Sequence, residues 1–289
     1  QNNTTADNNI GIGYEAVKEN TTGTRNLGLG RRAVKATTTG NDNTGLGYHA
    51  LELNTTGVSN VAVGTQALDA NTTGVENTAV GCDALTSNTT GQHNAAFGHD
   101  ALELNTTGQN NTAIGEQAME ANTTGSNNTA CGEAALHENT TADNNTAVGQ
   151  FALLSNTTGA NNTALGVNAL LTNTTGNLSV AIGKDALKVS TGGLATAVGA
   201  YAADAHTTGA YTTAIGYSAL SAVTTGQANT AVGHQAIGSI TTGSNCTGVG
   251  YNALVNNTAN DNTGLGKEAL TSNTTGGLNT AVGNETLES

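Results

Sequence analysis

Apolar residues recur along this chain in two four-residue pieces, separated by polar stretches rich in Asn, Thr and Gly. At residues 111–127 the text is NTAIGEQAMEANTTGSN, and the next residue begins it again. The consensus is N-T-A-V-G-x-x-A-L-x-x-N-T-T-G-x-x, said seventeen times. Its fifth residue never varies, running from Gly13, Gly30, Gly47 and Gly64 to Gly266 and Gly283. Fourteen of the sixteen spacings are 17, and two, Gly183 to Gly199 and Gly250 to Gly266, are 16. A fixed short period marks a solenoid or fibre and outranks any other local signal.

Before each anchor glycine stands a bulky apolar residue, as in Ile12, Leu29, Val63, Phe97, Ile114 and Val282. Two before it is always Ala or Gly. Three after it is Ala in sixteen repeats, and four after it is usually Leu, as in Leu51, Leu85 and Leu102. A helix needs apolar residues at three- and four-residue spacing over ten or more residues, which no repeat offers. The T-A-V-G and x-A-L-x pieces read as two short strands per coil. N-T-T-G reads as the corner, with Asn and Gly suited to positive φ and Thr to extended backbone. The expected fold is all-β: a parallel β-solenoid (β-roll) of about 17 coils, continuous over residues 1–289. At ~4.8 Å per coil that is a rod of roughly 80 Å.

Stacking places equivalent residues over one another. Asn9, Asn26, Asn43 and Asn60 form one column, and Asn54, Asn71, Asn88, Asn105 and Asn122 a second. Stacked amides can hydrogen-bond as a ladder. Neighbouring strand residues point to opposite faces, so Ala–Val and Ala–Leu pairs make both faces apolar. One face fills the coil and the other needs a cover, which implies an oligomer. Burying a large aliphatic gives roughly 1.5–3 kcal/mol, against about 1–2 kcal/mol of backbone entropy per ordered residue. The thin coil therefore needs hydrogen bonds and a partner surface. Between about residues 190 and 245 the columns turn less polar, with His206, Val223 and Ile240 at the second Asn column and Leu194, Tyr211 and Ala228 at the opposite corner. That stretch is a candidate lateral contact patch.

Eight basic residues against twenty-one acidic ones give a net charge of −13, which argues against nucleic acid as a partner. No apolar run of 18 residues exists, so no membrane insertion is expected. The pieces NTAVG, VAIG (Val180–Gly183) and AAFG (Ala95–Gly98), each followed after two residues by Ala, resemble the head repeat of trimeric autotransporter adhesins. The N-T-T-G variant is also similar to repeats of phage tail-fibre-like and bacterial surface proteins. The resemblance covers essentially the whole chain. It implies a left-handed, trimeric β-roll on a cell or virion surface, with the V-A-I-G strand lining core and interface, and a host or cell-surface receptor as a further partner. Some tail-fibre-like proteins cleave themselves after a serine, with which Ser289 is compatible.

No residue is nominated for catalysis, cofactor binding or metal binding, so the expectation is a non-enzymatic structural protein. The three cysteines, Cys82, Cys131 and Cys246, occupy non-equivalent positions and predict no disulfide framework. The six histidines never share a column in adjacent coils. Acidic pairs such as Asp83 with Asp100, or Glu103 with Glu120, read as a solvated face. N-T-T is formally a glycosylation sequon at Asn20, Asn54 and Asn71. A rival function is ice binding by the Thr ranks Thr55, Thr72, Thr89 and Thr56, Thr73, Thr90. The phases of Gln1 and Ser289 nearly match, and Asn3, Thr4 and Thr5 already form a corner. Head-to-tail assembly into a filament is therefore expected alongside or instead of the trimer.

Overall fold

The computed structural model describes residues 5–287 of the chain. The expectations placed on Gln1, Asn3, Thr4 and Ser289 lie outside them. The fold is a parallel β-solenoid, with no helix among the described residues. The chain divides into two compact units, Gln1–Asn144 and Asn145–Ser289. The first holds β1 (Ile10–Ile12), β2 (Leu27–Leu29), β3 (Thr44–Leu46), β4 (Val61–Val63), β5 (Thr78–Val80), β6 (Ala95–Phe97), β7 (Thr112–Ile114) and β8 (Thr129–Cys131). The second holds β9 (Thr146–Val148), β10 (Thr163–Leu165), β11 (Val180–Ile182), β12 (Ala195–Val198), β13 (Thr212–Ile215), β14 (Thr230–Val232), β15 (Thr247–Val249), β16 (Thr263–Leu265) and β17 (Thr280–Val282). Within each unit every strand pairs in parallel with the next, repeat position on repeat position: Ala62 with Ala79, Ala164 with Ala181.

Among the described residues each coil has one strand, not two. The x-A-L-x piece is a turn run in which alternate residues take left-handed φ. In the coil after Gly47 these are His49 at φ 59 and Leu51 at φ 55. A strand would send one of the neighbours Ala50 and Leu51 outward; here both are fully buried. The left-handed backbone turns both side chains inward. Its amides then bond to the coils on either side: His49 N–H donates to Arg31 O at 3.0 Å, and Leu51 N–H to Ala67 O at 3.1 Å. Left-handed φ costs roughly 1–2 kcal/mol for a residue with a Cβ, and burying the leucine gives roughly 1.5–3 kcal/mol. Burial is large enough to hold the unfavourable backbone in place. Local propensity is therefore no guide to this segment.

The corner also differs from expectation. Neither Asn54 nor Gly57 has positive φ. Gly57 is favoured by crowding: a Cβ there would lie 2.2 Å from Asn54 Oδ1 and 2.4 Å from Gly74 O of the next coil. The third left-handed site per coil is instead the residue before the first Asn column, such as Ser59 at φ 59.

The interior is narrow, filled by two Ala columns, the Leu column and both Asn columns. Asn60 and Asn71 have no exposure at all. The expected ladders are present. In the first, Asn60 Nδ2 donates to Asn43 Oδ1 at 3.1 Å and to Gly74 O at 2.8 Å. In the second, Asn71 Nδ2 donates to Asn54 Oδ1 at 2.8 Å and to Gly74 O at 3.1 Å. One corner carbonyl thus receives an amide from each ladder. In the second unit His206, Val223 and Ile240 take the second column's place, and all three are fully buried. They are core, so they cannot form the lateral patch expected around residues 190–245. Of the residues named for it, Leu194, Tyr211 and Ala228 are exposed.

Candidate interaction face

From β2 to β17 the last three residues of each strand run outer–inner–outer, while β1 is exposed throughout. In β7, Thr112 and Ile114 face out around a buried Ala113. The small alanine is the inward residue, and the bulky aliphatic before each anchor glycine is the outward one. Parallel register then stacks the outward apolar residues directly: Ile12 on Leu29, Leu29 on Leu46, and the aromatic Phe97 on Ile114 in the first unit. The second unit repeats this with Leu165 on Ile182 and Val249 on Leu265. Several are well exposed: Ile12 by 59%, Leu29 by 45%, Ile114 by 44%, Leu165 by 46%. Beside each aliphatic rank runs an outward rank with Thr, as in Thr112 and Thr129, interrupted by Ile10, Leu27, Val61 and Ala95 in the first unit and by Val180 in the second. Regular apolar rows of this extent exceed the scattered surface hydrophobes of ordinary monomers and mark contact surfaces.

Flanking this face, the residues just past the anchor glycines carry aromatic and cationic groups. The Arg31 guanidinium lies 5.8 Å from the Tyr14 ring and 5.7 Å from that of Tyr48. In the second unit the rings of Tyr217, His234 and Tyr251 stack at 5.4 and 5.2 Å. Their faces cover one another, so the stack offers ring edges to solvent.

The corner Thr ranks are unequal. Thr55, Thr72 and Thr89 spend their hydroxyls on the next coil, with Thr55 Oγ1 donating to Thr72 O at 2.9 Å. Thr56, Thr73 and Thr90 are exposed. The sequon asparagines Asn54 and Asn71 are wholly buried in their ladder, which leaves the folded coil no amide to glycosylate.

Two titratable clusters cross coils where the sequence nominated none. In one, Glu52 is buried and meets His49 Nδ1 at 2.8 Å, Arg32 Nη1 at 3.2 Å and Lys35 Nζ at 3.6 Å. Asp69 stands beside it with Oδ1 buried and unpartnered. Burial, then the charges of Glu52 and Asp83, push its carboxyl up to about 6. In the other, Cys82 Sγ lies 3.1 Å from Asp83 Oδ2, and His99 Nδ1 lies 2.8 Å from Asp100 Oδ2 in the next coil. Burial and neighbouring carboxylates raise the pKa of Asp100 and of Glu103. Both clusters arise from adjacent columns of adjacent coils. Reading the two positions after each anchor glycine side by side would have shown Cys82 over His99 and Asp83 over Asp100. All three cysteines are free thiols.

No protein-family model matches the chain, and no curated protein matches it.

Proposed function

We propose that this protein is a non-enzymatic structural element: a β-solenoid shaft that self-associates through the outer face of its sheet, in a fibre or adhesin on a cell or virion surface. The observation that carries this reading is the exposed aliphatic rank, one residue per coil, beside the Thr rank. A surface of that kind is stabilised when a second copy covers it, and each large aliphatic so covered contributes roughly 1.5–3 kcal/mol before the costs of association. A trimer is the assembly the resemblance to adhesin heads favours, and head-to-tail contact would extend it. Cys131 sits in the aliphatic rank at the end of β8, which supplies a native probe. Mild oxidation of the reduced protein is expected to give a disulfide-linked dimer that Cys131→Ser abolishes and Cys82→Ser does not. A chain that stays monomeric in light scattering and forms no such link contradicts the proposal.

Ice binding is the second reading, favoured by the outward Thr and aliphatic rows on one parallel sheet. It draws on those strand rows rather than on the corner ranks, whose first hydroxyl is already bonded. Thermal hysteresis at millimolar protein supports this reading, and its absence removes it.

A further inference from the structure

We infer that Cys82, Asp83 and His99, backed by Asp100, form a binding site for a single borderline-soft divalent cation of the zinc class on the first unit. One ligand atom from each of the first three residues lies within 4.8 Å of the others. Zinc bonds of about 2.0–2.3 Å place tetrahedral ligands roughly 3.3–3.8 Å apart, so small side-chain rotations close the set. Thiolate, imidazole and carboxylate together suit zinc or cobalt over the hard cations, which take oxygen alone. Asp100 is 2.8 Å from His99 Nδ1, orients the imidazole and adds a second carboxylate.

The surroundings favour a cation. No Lys or Arg occurs between Lys35 and Lys184, so this part of the chain brings no basic side chain of its own. Asp83, Glu116 and Glu120 all act on Asp100 as like charges. The other titratable cluster lacks this character, because Arg32 and Lys35 already neutralise Glu52. Cys82 and Asp83 are half-buried and His99 is exposed, which leaves a route for the ion. The sites are built by stacking: Cys82 and Asp83 belong to one coil and His99 and Asp100 to the next, so binding clamps two coils together. On binding, the Cys82 thiol gives up its proton to solvent and its sulfur becomes a thiolate ligand.

Cobalt(II) titration of the full chain, with the thiols kept reduced by a non-coordinating reductant, tests this. The expected result is one equivalent bound with a thiolate-to-cobalt charge-transfer band, displaced by zinc. Cys82→Ser removes the band, whereas Cys131→Ser and Cys246→Ser keep it. Asp100→Asn weakens binding about 10–100-fold. His99→Ala, at an exposed position that leaves the fold intact, weakens it at least as much. Binding without the band, a band that survives Cys82→Ser, or affinity unchanged in His99→Ala overturns the site.

Discussion

The anchor glycine shows how one position constrains a whole coil. Gly64 has φ +142, and a Cβ there would lie 2.2 Å from Gly81 O of the next coil. Strained backbone and a backbone clash coincide, so the position admits no other residue. Gly64→Ala is expected to cost about 3 kcal/mol or more, read as a drop in the denaturation midpoint. Asp69 gives a prediction of opposite sign. Burial pushes its folded-state carboxyl up to about 6, from an ordinary value of 3.8. Between pH 4 and 6 the folded chain holds this proton more tightly than the unfolded one, so the residue lowers stability as pH rises and the penalty stays constant above that window. Asp69→Asn should therefore raise the thermal midpoint at pH 7 and match the wild type at pH 4. Equal midpoints at both pH values would remove the account of this carboxyl.

Within a coil, strand, turn run and corner were not equally legible. The period, the Ala and Leu columns and both Asn ladders could be read directly, because stacking turns a repeated residue into a contact. Which apolar piece is a strand could not. T-A-V-G and x-A-L-x look alike as patterns, but Leu51 and its equivalents reach the core only through left-handed φ, a conformation that tertiary burial imposes against local preference. The side of the strand that faces in was also hidden, since Ala and Val are both apolar and only the narrowness of the coil selects the smaller. The cation site was missed because it joins Cys82 and Asp83 of one coil to His99 of the next, 17 residues after Cys82, and its ligands differ in type. The ladder yields a sharp prediction. Asn88 donates to Asn71 Oδ1 and Gly91 O and accepts from Asn105 Nδ2, all in the buried core. Asn88→Ala should destabilise by about 2–4 kcal/mol, combining unmade bonds with a small cavity. Thr90→Ala, two residues on and exposed, should stay within about 0.5 kcal/mol. Urea titration of the two variants separates a structural ladder from simple turn preference.

For the whole molecule, charge and apolar surface oppose each other. A net charge of −13 makes copies repel, while the outward aliphatic ranks draw them together. Salt screens the repulsion and leaves apolar burial intact. Association is thus expected to strengthen between about 20 mM and 0.5 M salt, the reverse of an assembly held by ion pairs. The most direct test of the central claim is the mass in solution by light scattering, wild type against a chain carrying Leu29→Glu, Ile114→Glu, Leu165→Glu and Leu265→Glu together. All four side chains point outward, so the β-rich circular dichroism should be unchanged. The account predicts a wild-type mass that is a multiple of 28.6 kDa and a substituted chain that runs as the monomer. A monomeric wild type, or a substituted chain that assembles as the wild type does, would contradict it.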